Sequence, residues 1–368
     1  MYSRRQQKVV AQSGALGEVP RRRLLRGAGV LGVAAILRPT AVFAECDADT
    51  EPLGPFGPWS KPINLGLVVN SPFDERFPAI SRNGLSLYIS SGRPGGVYGA
   101  NPDNIHEIWV SQRANLDSPW QTPVNLDTHN SVSLINAVNS RQLGANSFSP
   151  DGHQMFLSTG PDPEPRPGGC GDPGDLWVSR RTNKHNDFGW QEPVNLGCTI
   201  NSEFSDESAM YFEDEETGII TMYFSSNRPP VGPPSHIYVS TLGDDGSWGP
   251  GVLVTELSSP FLDQRPAIRR DGLEIFLPSM RPGGVGVGNI WVSTRETAAD
   301  PWSTPVTVGP PINKAGSVSG GPALSWDATT LYFTSDRPGG FGAHDVYVST
   351  RHKLREHKRG DESGQVRG

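Results

Sequence analysis

Residues 267–305 hold four pieces in order: Ala267-Ile-Arg-Arg-Asp-Gly272, the alternating run Leu273 to Pro282, Ile290-Trp-Val-Ser293 and Trp302-Ser-Thr-Pro305. Each piece recurs along the chain. The turn piece returns as Ala79-Ile-Ser-Arg-Asn-Gly84, Ser147-Phe-Ser-Pro-Asp-Gly152 and Ala323-Leu-Ser-Trp-Asp327. The alternating run, closed by Ser-x-Arg-Pro, returns as Leu85 to Pro94 and Leu331 to Pro338. The third piece returns as Ile108-Trp-Val-Ser111, Leu176-Trp-Val-Ser179, Ile237-Tyr-Val-Ser240 and Val346-Tyr-Val-Ser349. The Trp unit returns at Trp59-Ser-Lys-Pro62, Trp120-Gln-Thr-Pro123, Trp190-Gln-Glu-Pro193 and, as a variant, Trp248-Gly-Pro-Gly251.

These pieces read as four short strands joined by hairpins. Asn-Gly and Asp-Gly supply the positive φ angles that tight hairpins need. Alternation of Leu, Tyr and Ile with Ser has period two, not 3.6. One four-stranded sheet cannot bury both faces alone, so the units must stack around an axis. Five units predict an all-β fold, a five-bladed β-propeller of four-stranded blades spanning residues 59–351. The first Trp unit precedes the first hairpin, and none follows the Val346 strand. The N-terminal strand is therefore expected to close the last blade.

Composition agrees with many turns around an apolar core. The chain is 35% hydrophobic with nine Trp and 14 Phe, and its 43 Gly and 34 Pro make up a fifth of 368 residues. Outside the repeats, Arg21-Arg-Arg-Leu-Leu-Arg26 and the apolar run Gly27 to Leu37 read as a signal peptide over residues 1–44. Its pattern is that of twin-arginine export, with an ordinary secretory signal as the alternative. The run is too short to span a bilayer, which needs roughly 20 helical residues. The protein is thus expected in the periplasm or outside the cell, without membrane insertion. Residues 45–58 read as a linker and 352–368 as a charged tail.

The signal segment carries eight Lys/Arg and one acid, so its removal takes the net charge from −7 to −14. Such an acidic domain argues against nucleic acid and anionic lipid as partners. Of three cysteines, Cys170 and Cys198 fall in loops of one blade and are disulfide candidates, leaving Cys46 over.

The Ser-Pro-Asp-Gly turn, the Ser-x-Arg-Pro-Gly-Gly loop and the Ile-Trp/Tyr-Val-Ser strand resemble the TolB-type, WD-like propeller repeats of bacterial envelope proteins. The resemblance covers residues 59–351. It implies an envelope protein or glycan as partner and specifies the fold better than any activity.

Two charged motifs fall in loops expected on one face. Arg93, Arg228, Arg281 and Arg337 close the second strands, and Arg166 occupies the same place in the second unit. Asp74-Glu75, Asp206-Glu207 and Asp263-Gln264 enter the innermost strands. Because the motifs recur in most blades, a structural role is expected, with arginines bridging to the next blade's acids. The functional reading places a sugar or cation at an axial mouth lined by these residues. Asp74 and Asp206 then become an acid/base pair for glycoside hydrolysis if 5–10 Å apart. His106 and His344 read as strand-edge residues. No nucleophile elbow, zinc-protease motif or phosphate loop occurs. The expectation is therefore a monomeric binding module engaging a protein or glycan, with a glycan-active hydrolase or lyase as the alternative. No cofactor is required, and Ca²⁺ at the carboxylate-rich axis would fit either reading.

Overall fold

The computed structural model describes residues 55–97, 99, 101, 105–129, 135, 144–159, 170 and 174–354. The signal segment, Cys46, Arg166 and most of the second unit's insertion, of the linker and of the tail lie outside these. Among the described residues no helix is long and apolar enough to cross a membrane.

Five sheets of four antiparallel strands form the ring. Blade 1 is β1-independent and runs from the axis outward as β2 (Glu75–Ile80), β3 (Ser86–Ser91), β4 (Glu107–Gln112) and β5 (Val124–Asn125), where β1 is Ile63–Asn64. One helical turn, α1 (Leu126–His129), follows. Blade 2 holds β6 (Gly144–Phe148), β7 (Gln154–Ser158), β8 (Leu176–Arg180) and β9 (Val194–Asn195). Blade 3 holds β10 (Asp206–Glu213), β11 (Ile220–Ser226), β12 (His236–Thr241) and β13 (Val252–Leu253). Blade 4 holds β14 (Ala267–Ile268), β15 (Glu274–Ser279), β16 (Asn289–Thr294) and β17 (Val306–Thr307). Blade 5 holds β18 (Ser319–Leu324), β19 (Thr330–Ser335) and β20 (Asp345–Thr350), and β1 completes it.

The closure expected from the order of the pieces is present. Ile63 pairs with Val348 and Asn64 with Tyr347. Pairing runs on past these strands, from Gly57 N–H to the His352 carbonyl and from Leu354 N–H to that of Pro55. Phe56 is buried beneath Arg351, whose guanidinium carbon lies 3.8 Å from the ring centroid and whose side chain pairs with Glu274. Both chain ends are thereby tied into one blade.

Apolar alternation gives each blade two sticky faces, and neighbouring blades share the resulting cores. Tyr88, Ile108 and Val110 of blade 1 pack with Met155, Leu157, Trp177 and Trp190 of blade 2. Leu87 and Ile89, from the other face of β3, pack with Tyr332 and Val346 of blade 5. The repeated Ser of the third strand has a structural reason: its hydroxyl donates to the carbonyl after each Trp, as in Ser111 to Gln121 and Ser293 to Ser303. Arginines two residues later then lie over those Trp rings, Arg113 on Trp120, Arg181 on Trp190, Arg295 on Trp302 and Arg351 on Trp59.

Between blades, one backbone hydrogen bond recurs. The amides of Glu75, Asp206, Asp263 and Ser319 donate to the carbonyls of His344, Gly174, Ser235 and Gly288 in the preceding blade. A disulfide joins Cys170 and Cys198, with Cα atoms 5.3 Å apart, across the loops of blade 2.

Candidate functional site at the axial mouth

The repeated acids sit where the chain crosses from one blade to the next. Asp263 accepts from the Ser259 amide and hydroxyl and pairs with Arg281 at 2.6 Å. Asp206 does the same with Ser202 and Arg228, also at 2.6 Å. Glu75 accepts from Ser71, Ser91 and Arg93. Each arginine also donates to a carbonyl of the crossing segment: Arg93 to Val69, Arg228 to Ile200, Arg281 to Leu257. In blade 5, Ser319 replaces the acid, and Arg337 holds Ile312 and the Ser319 hydroxyl.

These clamps correct one expectation. The arginines pair with acids of their own blade, not of the next one, because both groups flank the same pair of inner strands. All three acids are fully buried, so their lone pairs are already filled away from the axis. Asp206 in particular sits inside the Arg228 clamp, so the carboxylate of blade 3 that reaches the mouth is its neighbour, Glu207.

One residue beyond each clamp, the inner strand bulges toward the axis. The register shifts between Arg76 and Ala79, Glu207 and Met210, and Gly320 and Ala323. Phe77, Ser208, Arg265 and Gly321 take positive φ angles of 52°, 67°, 52° and 54° at these places. A bulge re-aims the side chains beside it. Phe77 reaches across the channel, and the Arg265 guanidinium of blade 4 lies 3.2 Å from its ring centroid. Gly144 of blade 2 leaves room for it, since a Cβ there would stand 3.0 Å from the Phe77 ring.

Above this plug the charged residues gather. Asp74 receives His344 Nδ1–H at 2.8 Å, and its other oxygen lies 3.4 Å from His106 Nε2 and 2.7 Å from the Arg76 side chain. Burial alone would raise the Asp74 carboxyl, but the hydrogen bonds from His106 and His344 and the charge of Arg76 outweigh it and hold Asp74 well below the carboxylate range. His106 is 4% exposed, and its Nδ1 has no hydrogen-bond partner among the described residues. Glu207 of blade 3 faces Arg265 at 4.0 Å and is half-buried. Burial, opposed by Glu207 and reinforced by Arg76, lowers Arg265 to about 10.

The mouth thus joins Asp74, Arg76 and His106 of blade 1, Glu207 of blade 3, Arg265 of blade 4 and His344 of blade 5. Of the sequence candidates it brings together Asp74 and Glu207. Glu75, Arg93, Asp206, Arg228, Asp263, Arg281 and Arg337 lie in the clamps. His106, His344, Arg76 and Arg265 were not singled out as site residues from the sequence. For Arg76 and Arg265 the signal was there as variation. The clamp position repeats an acid, while the positions after it change from Arg76-Phe77 to Glu207-Ser208, Gln264-Arg265 and Gly320-Gly321. No group of three or more His, Cys, Asp and Glu side chains suited to a metal ion occurs among the described residues.

No protein-family model matches this chain, and no curated protein does. Solved structures do. An α-L-arabinofuranosidase from Lactobacillus brevis aligns with a TM-score of 0.50 at 15% identity, over 77% of this chain and 91% of its own. The catalytic domain of a GH62 α-L-arabinofuranosidase from Coprinopsis cinerea aligns at 0.49 and 12% identity, over 81% and 98%. A TolB structure from Agrobacterium tumefaciens aligns at 0.40 and 15% identity, over 74% and 73%. At such identity the likeness establishes the propeller fold alone.

Proposed function

We propose that this protein is an exported glycan-active hydrolase that works at the axial mouth, with Asp74 and Glu207 as its two carboxylates. The observation carrying this reading is the contrast between them. Asp74 is buried and kept ionised by two histidines and an arginine, whereas Glu207 at the same mouth is only half-buried, accepting from the Ser205 hydroxyl and facing Arg265 at 4.0 Å. Glycoside hydrolysis asks for two carboxyl groups in unlike settings, one giving a proton to the leaving oxygen and one staying charged. Glu207, reachable from solvent, is assigned the proton donor. Asp74 is assigned the charged partner, which steadies positive charge on the sugar ring while water adds to the anomeric carbon and returns a proton to Glu207. Arg76, Arg265 and His344 supply donors for sugar hydroxyls. The Lactobacillus brevis neighbour is an α-L-arabinofuranosidase, which makes α-L-arabinofuranosides the first substrates to try.

A second reading, a module that binds a glycan without cutting it, is favoured by one observation: both Asp74 oxygens are already engaged. The test incubates the chain from residue 45 with aryl α-L-arabinofuranosides, arabinan and arabinoxylan, with Glu207→Gln as the blank. Sugar release by wild type alone supports hydrolysis. A rise in melting temperature without release supports binding. Neither release nor a melting shift with any of them rejects both.

A further inference from the structure

The channel has a second end, beyond the Phe77 plug and opposite the charged mouth. There the final residues of all five innermost strands enclose a cavity of about 280 Å³. Its walls are mainly apolar, with Ile80, Phe148, Met210, Ile268 and Leu324 among them. It lies near the lower end of ligand pockets, and its lining mixes apolar side chains with polar ones, Asn146, Ser147 and Glu213 among them.

The rim is formed by the second residue of each inner hairpin, arginine in two blades and a different residue in each of the others: Arg82, Pro150, Glu215, Arg270 and Trp326. Arg82 and Arg270 both lie over the Trp326 ring, with guanidinium carbons 4.3 and 5.4 Å from its centroid. Arg270 is neutralised by Glu215 at 3.7 Å. Arg82 has no carboxylate partner among the described residues; it donates only to the Pro150 carbonyl. On blade 3, Glu213 accepts the Tyr211 hydroxyl and has no cation partner among the described residues. The rim therefore keeps one positive and one negative charge unmatched, on blades 1 and 3, above an apolar interior.

We propose that this cavity is a binding site for a small zwitterion with an apolar body, of the size of an apolar amino acid or dipeptide. The apolar side chain enters the cavity, the carboxylate meets Arg82 beside Trp326, and the ammonium group meets Glu213. A charged head at a partly desolvated rim earns affinity only if both of its charges are matched, so both ends of the ligand must be free. The inference is independent of the hydrolase reading, because the two sites lie at opposite ends of the channel.

Isothermal titration calorimetry with leucine and leucyl-leucine, each beside its N-acetyl and C-amide forms, tests it on the wild-type protein. The expected result is binding of at least one zwitterion, weakened about tenfold or more, ~1.4 kcal/mol, by blocking either end. Arg82→Ala and Glu213→Gln should each weaken it similarly at unchanged melting temperature, with Arg82→Lys recovering part of the loss. No heat with either zwitterion overturns the proposal. So does equal affinity for the blocked forms, which would mark an apolar cavity that reads no head group.

Discussion

The blade clamps and the axial mouth use the same chemistry on adjacent residues, and they end in opposite situations. Glu75 points into its own blade, where Ser71, Ser91 and Arg93 fill its lone pairs. Asp74, one position earlier, faces the seam between blades 5 and 1 and collects His344, His106 and Arg76. The clamp recurs with small variations around the ring, because each crossing between blades must be pinned. The mouth occurs once, assembled from four blades that each contribute something different. Repetition marks what the scaffold needs, and departure from it marks where a ligand can be told apart.

Several substitutions would break or sharpen that contrast. The largest effect is expected on turnover. Asp74→Asn should lower sugar release by about 10²–10³-fold, as loss of a group that stabilises transition-state charge does, with the variant still folded at the assay temperature. Unchanged release in steady-state assays would move Asp74 to the structural side.

Glu75→Ala should do the reverse. It strands the buried Arg93 guanidinium without its carboxylate, and breaking such a pair costs about 3–5 kcal/mol. Urea unfolding reads this directly. A full-stability variant that had lost turnover instead would erase the distinction between the two neighbours.

The disulfide lies outside both regions. Replacing Cys170 by Ser releases a loop whose cysteines are 28 residues apart and should cost about 3 kcal/mol, without changing release of sugar. Loss of activity here would tie the blade 2 loops to the mouth.

The smallest effect is on acid stability. The Asp74 carboxyl is depressed in the folded state, so its contribution is fully present above its unfolded value near ~3.9. It is lost as pH falls from there through the folded value. Unfolding free energy measured from pH 6 to 2 should therefore fall less steeply for Asp74→Asn than for wild type. Parallel curves would mean that His106 and His344 do not hold Asp74 ionised.

Much of the scaffold was legible without coordinates. Hairpin turns such as Asn83-Gly84 and Asp271-Gly272 are local, and Gly84 and Gly272 do take positive φ, 72° and 73°. The strand alternation is local too, and five copies leave few ways to bury their faces. Even the closure by Ile63 and Asn64 follows from the order of pieces along the chain. The candidate site was legible only in part. A structural role was expected of the recurrent acids, and Glu75, Asp206 and Asp263 are buried in clamps, but within their own blades; His106 and His344, read as strand-edge residues, belong with Asp74.

Sequence by itself determined the blade count, the strand order and which positions repeat, because those follow from turn chemistry and period-two patterning between near neighbours. Only the tertiary structure decided which charges meet. His344 reaches Asp74 across 270 residues, and Arg265 crosses the axis to lie on Phe77. Such contacts depend on ring closure and on the bulges that turn each inner strand, and both are set by how five blades pack around one axis, not by any local stretch of chain.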